Sequence, residues 1–365
     1  MTIIYLNLRF LTQRITGVQR FAFEICKALD LLLSAEANLK VIGLMPRREI
    51  QSQYANLQFQ NIRLQRCGRF SGHLWEQLEL PYYSYGHKLL NLCNSAPLFK
   101  LQQWLTLHDV IFLTKLDSQK SWFKLWYRLI ATVTKYTALK IFTVSEFSKG
   151  EIMQRLGVAA TQVVVLGNAA NMCQYPYDPS ILRHLGLARQ EYFFMLGSNS
   201  LRKNTRRVGE LFAEDSRFAT LKLVIAGGEF SNLGAVTSMP ERENIIKAGY
   251  VSDAQLRSLY ANAQALIFPS TYEGFGIPLL EAMAEQTPVI CADIAVTHEV
   301  CQDGALYFDP TSGAALAQQI LNLVDDPELR QDLVARANIQ LERFKWHDFA
   351  TTLLATLQPA SCWTG

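Results

Sequence analysis

The sequence predicts an α/β protein with two doubly wound halves, each a parallel sheet covered by helices on both faces. Short apolar runs typical of strands alternate with longer helical patterns along most of the 365 residues, which favours parallel sheets. This series begins anew near residue 192, and a chain of this length can bury two hydrophobic cores. Hydrophobic residues make up 49% of the chain and charged residues 18%, a composition that excludes extended disorder.

The first half, predicted at residues 1–170, opens with the strand IIYLNL, a loop and the helix TGVQRFAFEICKAL. The strand-like runs LKVIGLMP, WLTLHDVIFL and KIFTVS follow, and then the helical EFSKGEIMQRLG. Gly17 stands at the entrance of the first helix, where the missing side chain lets backbone N–H groups approach an anion. A glycine there is also common as a simple turn. The loop lacks the G-x-G-x-x-G fingerprint and the Walker lysine pattern, which disfavours an NAD enzyme or a P-loop nucleotidase.

A linker is predicted at about residues 168–190, where two prolines and polar breaks interrupt the pattern. The second half, 171–349, runs through the strand-like segments YFFMLGS, LKLVIAGG, NIIKAGY, ALIFPS, PVICAD and ALYFDP. Helical patterns lie between several of them, and the chain stays helical to near its end. We expect the last helix, 350–365, to complete the first half.

The clearest sign of a phosphate site is the pair Arg202 and Lys203, which comes soon after the strand YFFMLGS. Cations are unfavourable at a helix N-terminus unless an anion binds there, because that end of the helix dipole is positive. Arginine offers a planar fork and lysine a point charge, and both suit a diphosphate that gains charge as a bond breaks. The alternative is a basic helix start that is merely solvated.

A second signal lies in FPSTYEGFGIPLLEAMAEQTPVICAD, residues 268–293, which has the pattern of a strand, a loop, a helix and a strand. Ligands bind beyond the carboxyl ends of strands in such units, so the loop from Glu273 to Gly276 is predicted to lie at the site. Glu281 falls on the helix that follows, with Pro278 tolerated in its first turn. The helix dipole alone also favours acids near a helix start, which is the simpler interpretation.

Two weaker signals occur at other strand ends. The run LKLVIAGG finishes in Gly227 and Gly228, which permit close approach of the backbone. The loop GYVS, with Ser252 or Asp253 as the N-cap of the next helix, could lie against a flat base.

Charge is divided unequally between the halves. Residues 1–170 carry 20 Lys and Arg against 10 Asp and Glu, a net +10, whereas residues 171–365 carry 15 against 22, a net −7. The segment 115–140 holds six basic residues and one acid. The aromatic residues interleaved with them are Trp122, Phe123, Trp126, Tyr127 and Tyr136. This pattern suits an interfacial helix on anionic lipid, and equally an ordinary amphipathic helix whose aromatics fill the core. No nucleic-acid-binding motif accompanies the charge, so no nucleic-acid partner is predicted.

The cysteines and the apolar runs bear on the cellular compartment. The seven cysteines are scattered and never form a C-x-x-C pair, which argues against a disulfide framework and a zinc site. No apolar run approaches the roughly 18 to 20 residues needed to span a bilayer, and the start lacks a signal-peptide pattern. The cytoplasm is therefore the expected location.

An ordered set of segments resembles the retaining GT-B glycosyltransferases of family four, which include sucrose-phosphate synthase and bacterial mannosyl-, glucosyl- and rhamnosyltransferases. The segments are TGVQR, HDVIF, TVSEFSKGEI, LGSNSLRKN, IAGG, GYVSDAQLRSLYANA and EGFGIPLLEAMA. The resemblance covers nearly the whole chain. It implies the GT-B architecture, with two Rossmann-like domains facing across a cleft. The first would bind the acceptor and the second the nucleotide sugar.

The resemblance also implies roles for the second-half residues. Glu281 would hold the ribose hydroxyls of the nucleotide, and Glu273 would bind hydroxyls of the transferred sugar. Arg202 and Lys203 would carry the charge of the diphosphate. The backbone that would meet the diphosphate belongs to Gly274, Phe275 and Gly276.

Three further positions complete the implied site. The loop around Val251 would lie against the base, and His108 of HDV would face the sugar from the first domain. Ser198 lies in the predicted donor-binding loop, where many relatives have an arginine, so one phosphate cation is missing here. Gly17 remains a candidate binding residue at the entrance of the first helix.

The function implied is a retaining, metal-independent transfer of a hexose from a nucleotide diphosphate sugar, best matched by GDP-mannose. No D-x-D motif is present, so neither a metal nor another cofactor is expected. The acceptor would be a saccharide, lipid-linked at the inner face of the cytoplasmic membrane, in surface polysaccharide synthesis. The alternatives are a nucleotide-sugar epimerase of the same fold and an inactive sugar-nucleotide-binding protein.

Overall fold

The computed structural model describes residues 2–55, 57–114, 121–197, 200–227 and 240–358, without the side chains of residues 121 and 123. These residues form two compact units. The N-terminal unit comprises the described residues up to Asn168 together with those from Lys345 onward, and the C-terminal unit comprises those from Ala169 to Phe344. The borders of the units thus lie at 168/169 and 344/345, against predicted borders at 170/171 and 349/350.

The N-terminal unit is built on a parallel sheet of seven strands within the described residues, in the order β3-β2-β1-β4-β5-β6-β7. The strands are β1 (Thr2–Asn7), β2 (Leu39–Pro46), β3 (Arg63–Cys67), β4 (Lys88–Asn91), β5 (Gln103–Thr106), β6 (Ala138–Thr143) and β7 (Val163–Val165). The inner strand β5 is buried along its whole length, whereas the edge strand β3 is largely exposed. The sheet order reverses between β1 and β4, which start its two wings.

Helices cover both faces of this sheet. They are α1 (Gly17–Leu32), α2 (Gly72–Leu74), α3 (Leu80–Tyr83), α4 (Ser121–Thr137) and α5 (Glu146–Leu156), with a π turn at Trp75–Glu79 between α2 and α3. Apolar side chains from the strands and helices pack into separate clusters, one around Trp75 and another around Leu105 and Ile152. Segment 115–140, predicted as an interfacial or amphipathic helix, contains α4.

The C-terminal unit repeats the design with six parallel strands among its described residues, in the order β10-β9-β8-β11-β12-β13. The strands are β8 (Tyr192–Leu196), β9 (Lys222–Ala226), β10 (Ile245–Gly249), β11 (Ala265–Phe268), β12 (Val289–Ala292) and β13 (Leu306–Phe308). The helices are α6 (Ser180–His184), α7 (Thr205–Glu214), α8 (Asp253–Asn262), α9 (Ile277–Ala284), α10 (Ala295–Cys301), α11 (Gly313–Asp325) and α12 (Pro327–Leu341). Here the order reverses between β8 and β11. The carboxyl ends beside such a reversal form the usual ligand crevice of a doubly wound sheet.

The last helix returns the chain to the N-terminal unit. Helix α13 (Trp346–Leu357) packs along α1, with the ring centroids of Trp346 and Phe21 5.7 Å apart. Gly167 takes φ +88° with the Phe349 ring directly over it, so a side chain there would collide with the ring. The last turns of the described chain therefore belong to the N-terminal core. No helix among the described residues combines the length and apolarity needed to cross a bilayer.

The elements agree with the predicted texture, with three omissions. Ten of the strands coincide with runs read from the sequence, but β3, β4 and β7 were not predicted. Strand β3 reads RLQRC and is mostly exposed, β4 has four residues, and β7 has three. The run WLTLHDVIFL is also shorter as a strand than predicted, because β5 ends at Thr106 and a 3-10 turn follows at Ile111.

Candidate functional site

Three charged residues meet beyond the carboxyl ends of β8 and β11. Glu273 Oε2 lies 2.8 Å from Arg202 Nη1, and Glu273 Oε1 lies 2.6 Å from Lys203 Nζ. The two cations follow β8 and the carboxylate follows β11, and these strands are neighbours in the sheet. The structure therefore brings together, at the reversal of strand order, residues that are about seventy positions apart in the sequence.

Backbone contacts fix this ion-pair cluster. Arg202 and Lys203 end a short 3-10 turn, and the carbonyl of Arg202 accepts a hydrogen bond of 2.8 Å from the backbone N–H of Thr271. Arg202 Nη1 also donates to the carbonyl of Tyr272 at 3.1 Å. The ammonium group of Lys203 lies 5.4 Å from the ring centroid of Phe268. The turn after β8 and the loop after β11 are thus held to each other directly.

The charge state of the cluster follows from its contacts. Glu273 is only 8% exposed. Burial raises the pKa of its carboxyl, but the charges of Lys203 and Arg202 outweigh burial, so the pKa lies below its ordinary value. The carboxylate is therefore ionised at neutral pH, and one anion between two cations leaves a net charge of about +1. The cations keep some access to solvent, since their side chains are about one fifth exposed.

The start of α9 presents backbone next to this cluster. Gly276 is its N-cap and takes φ +102°, where a Cβ atom would lie 2.8 Å from Leu279 Cδ1, so glycine is required. Phe275 is buried edge-on against Phe344, with ring centroids 5.6 Å apart. Gly274 is buried as well. As the sequence predicts, Glu273 to Gly276 lead from a strand end into a helix N-terminus, where N–H groups favour an anion.

Glu281 lies on α9 and is held by a residue that the sequence did not single out. Its side chain is 7% exposed, and Tyr260 on α8 donates its hydroxyl to Oε2 at 2.9 Å. Tyr260 is fully buried, with its ring edge-on to Phe194 at 5.0 Å. A buried tyrosine needs a partner for its hydroxyl, which is the one signal that could have drawn attention to it. The loop before α8 contains Val251, and Ser252 caps that helix.

The glycines at the strand ends of this unit have a steric reason. Gly227, after β9, takes φ +91°, and a Cβ atom there would lie 3.2 Å from the carbonyl oxygen of Gly197. The backbone of Gly227 donates to Gly249 at 2.7 Å, so the ends of β8, β9 and β10 are closely joined. Ser198 and Gly228, both singled out from the sequence, lie outside the described residues.

His108 and Gly17 belong to the N-terminal unit. His108 follows β5 and is 7% exposed, its backbone N–H donating to Asn94 Oδ1 at 2.7 Å and its ring edge-on to Phe21 of α1 at 4.7 Å. Its Nε2 lies 3.1 Å from the carbonyl of Leu92. A carbonyl only accepts, so Nε2 carries the proton and Nδ1 is left as an acceptor. Burial lowers the pKa of His108 from 6.5 to about 4, although the hydrogen bond to Leu92 opposes the shift.

Gly17 is the first residue of α1, after Thr16 as N-cap, and it is exposed. The contact between Phe21 and His108 places this helix beside the candidate histidine. Among the described residues, no group of three or more His, Cys, Asp or Glu side chains is arranged to hold a metal ion.

The comparison with protein families identifies most of the C-terminal unit. Residues 181–340 match the family described as Glycosyl transferases group 1. These residues form a glycosyltransferase group 1 domain. The domain contains the ion-pair cluster, the α9 entrance and the Tyr260–Glu281 pair, so the resemblance read from the sequence is confirmed for this part of the chain.

Two bacterial relatives show where similar sequences occur. The O-antigen chain mannosyltransferase B of Escherichia coli is 32% identical over 225 residues, 59% of this chain and 59% of that protein. The O-antigen chain mannosyltransferase RfbU of Salmonella typhimurium is 29% identical over 269 residues, 71% of this chain and 70% of that protein. The match to the first of these relatives thus spans less than two thirds of its length.

Solved structures confirm the fold. Sucrose-phosphate synthase from Thermosynechococcus elongatus superposes with a TM-score of 0.71 at 16% identity, over 98% of each chain. Anabaena Alr3699/HepE in complex with UDP-glucose gives 0.72 at 16% identity, over 98% of this chain and 99% of that one. The chain therefore adopts the GT-B fold predicted from the sequence.

Proposed function

We propose that the protein is a retaining, metal-independent glycosyltransferase. It transfers a hexose from a nucleotide diphosphate sugar of the GDP-mannose type to a lipid-linked saccharide in surface polysaccharide synthesis. The observation that carries the proposal is the cluster of Arg202, Lys203 and Glu273 at the reversal of strand order. The names of the two O-antigen mannosyltransferase relatives support the proposed sugar and the proposed class of pathway.

The charges of the cluster suit both parts of a nucleotide sugar, the diphosphate leaving group and the transferred sugar. Arg202 and Lys203 would stabilise the negative charge that grows on the diphosphate, because fixed charges need no reorganisation during the reaction. Glu273 is ionised and buried, so it can only accept hydrogen bonds and would select donor hydroxyls on the sugar. On α9, Glu281 would accept from the ribose hydroxyls, with Tyr260 holding its carboxylate in place.

The proposed reaction forms the bond from the acceptor oxygen to the anomeric carbon as the bond to the diphosphate breaks. Both events occur on one face of the sugar, and the departing diphosphate oxygen takes the proton of the acceptor hydroxyl. Holding the two reactants in this geometry supplies much of the rate. No carboxylate nucleophile is required, in contrast to retaining glycosidases. His108 is neutral at pH 7, and its Nδ1 would accept a hydrogen bond from a hydroxyl group of the sugar.

Membrane attachment is the second part of the proposal. Helix α4 exposes large apolar side chains, with Trp122 77%, Leu125 57%, Leu129 44% and Tyr136 80% accessible. They alternate with cations of the same helix. Aromatic and basic residues together favour the headgroup region of an anionic bilayer, and each cation adds about 1 kcal/mol or less. The enzyme would therefore bind peripherally at the inner face of the cytoplasmic membrane.

A donor screen tests the proposed activity. The purified chain is incubated with GDP-mannose, UDP-glucose and related donors, with and without a saccharide acceptor, and release of the nucleoside diphosphate is measured. Release that depends on acceptor and is lost in Arg202→Ala, but retained in Arg217→Ala, supports the proposal. Arg217 is a matched control, because it forms an exposed ion pair with Asp215 in the same unit.

The alternatives give different results in the same screen. Conversion of the donor sugar without any acceptor would indicate the epimerase. Nucleotide binding with no turnover of any donor would indicate the inactive binding protein. Turnover of UDP-glucose but not of GDP-mannose would correct the donor and leave the class of enzyme intact.

A further inference from the structure

A network of polar side chains lies at the reversal of strand order in the N-terminal unit. Asn7 ends β1 and Asn91 ends β4, and Asn7 Nδ2 donates to Asn91 Oδ1 at 3.0 Å. Crevices at such strand ends are where doubly wound sheets bind ligands. The sequence pattern does not predict a functional residue at this position, since β4 itself was not predicted.

A buried carboxylate lies at the centre of this polar network. Glu76 is 1% exposed, and its Oε1 accepts from Asn7 at 3.1 Å and Ser95 at 2.8 Å and lies 3.2 Å from Arg9 Nε. Burial raises the pKa of Glu76, but Arg9 and then His73 outweigh burial, so the pKa lies below its ordinary value. Glu76 is therefore a fixed anion whose first oxygen is fully used in holding the strand ends.

The second oxygen of Glu76 faces a histidine that solvent can reach. His73 Nδ1 lies 3.1 Å from Glu76 Oε2, and the histidine side chain is 41% exposed. A carboxylate can only accept, so in the neutral ring Nδ1 carries the proton and Nε2 is left to accept from a ligand. Glu76 thus sets the tautomer of His73.

The local backbone is unusual in a way that serves this arrangement. Glu76 lies in the π turn Trp75–Glu79, a rare conformation that is frequently found at functional sites. Trp75 anchors the turn, since it is fully buried and its Nε1 donates to the carbonyl of Cys67 at 3.0 Å. With the turn fixed in this way, Glu76 lies in the interior while His73 remains accessible.

Aromatic rings from α4 lie beside the histidine. The ring of His73 is 5.7 Å from that of Trp126 and 6.5 Å from that of Tyr127, both edge-on. A few fixed polar groups among aromatic side chains are the usual composition of a small-molecule site, with the polar groups setting orientation. In a saccharide, hydroxyl groups meet the polar groups and C–H faces meet the rings.

We infer that His73 binds a hydroxyl group of the acceptor saccharide, and that Glu76 is a positioning residue that fixes its tautomer. This inference rests on the proposed function, since an acceptor is needed only by a transferase. It assigns His73 to acceptor specificity and not to the transfer of a proton.

The test uses the full chain, the donor selected by the screen, and octyl α-D-mannopyranoside with its four monodeoxy derivatives as acceptor probes. His73→Ala is expected to raise KM for the octyl mannoside about tenfold, the value of one hydrogen bond, with donor KM within about twofold. Removal of one particular hydroxyl from the probe should raise the KM of the wild type to a similar extent. The same removal should leave the KM of His73→Ala unchanged. Glu76→Gln should resemble His73→Ala, because an amide donates to Nδ1 and turns Nε2 into a donor.

His87→Ala is the matched control. His87 is a partly exposed histidine that directly precedes β4, so it lies at the amino ends of the strands of the same sheet, away from the carboxyl ends where Asn91 lies. It should match the wild type for every probe. If His73→Ala discriminates among the deoxy probes as the wild type does, the inference is overturned. Failure of the wild type to consume any donor would instead count against the proposed function.

Discussion

The buried imidazole of His108 makes a quantitative prediction for the stability of the folded chain. Its ring is 7% exposed, and burial lowers its pKa from 6.5 to about 4. Between these two values the unfolded chain binds a proton at this ring and the folded chain does not. Stability therefore falls as the pH falls through this window, and it recovers as the pH rises.

The magnitude follows from the two pKa values. Each pH unit in the window changes the free energy of unfolding by about 1.4 kcal/mol, so the total from pH 6.5 to about 4 is about 3 kcal/mol. His108→Gln removes the titrating group and keeps a donor for the Leu92 carbonyl. The difference in unfolding free energy between wild type and variant should shift by about 3 kcal/mol against the wild type on going from pH 7 to pH 4.

Urea denaturation at closely spaced pH values measures this difference directly. His347→Gln serves as the control, because His347 lies in the same unit with its side chain 74% exposed. This variant measures the effect of losing an imidazole that is exposed in the folded chain. Parallel pH profiles for the wild type and His108→Gln would refute the reasoning, since they would mean that His108 titrates alike in the folded and unfolded chains.

Three further predictions concern the proposed function. Glu281→Ala should weaken binding of the free nucleoside diphosphate, whereas Glu273→Ala should retain that affinity and lower turnover; equal losses in calorimetry would contradict the assigned roles. The product should keep the anomeric configuration of the donor, and activity should survive excess chelator; an inverted linkage by NMR would overturn the mechanism. The chain should co-sediment with anionic but not neutral vesicles, and lose this binding when Lys120, Lys124 and Arg128 become Glu; equal recovery in both supernatants would indicate a soluble acceptor.

The fold was predictable where the strands are recognisable as apolar runs in the sequence. Strands buried on both faces, such as β11, carry this signal in every residue. Strand β4 has only four residues and gains its place by pairing with β1, where Ile4 lies opposite Lys88. Such pairing depends on residues far apart in the chain, so local pattern could not reveal it. The polar network around Glu76 was not predicted either, because it also joins residues that are far apart in the chain.

The candidate site was predictable residue by residue but not as an arrangement. Strand ends, glycines and the helix start at Gly276 follow from local rules, and Gly227 and Gly276 are found where expected. The pairing of Glu273 with Arg202 and Lys203 depends on β8 and β11 being neighbours, which only the sheet order decides. The sequence therefore suggested separate recognition of sugar and diphosphate, where the structure shows one charge cluster.

In the proposed enzyme, that cluster would allow a buried carboxylate to bind sugar hydroxyls close to a diphosphate. Arginine offers five N–H donors and lysine three, so both cations can hold Glu273 and still donate to an anionic ligand. The same two charges keep the pKa of Glu273 below its ordinary value, so the carboxylate stays ionised although it is buried. An ionised carboxylate accepts from hydroxyl groups and repels phosphate oxygens. In the proposed enzyme the cations would thus attract one end of a nucleotide sugar while Glu273, held by them, would favour hydroxyl groups at the other, which would orient the donor without a metal ion.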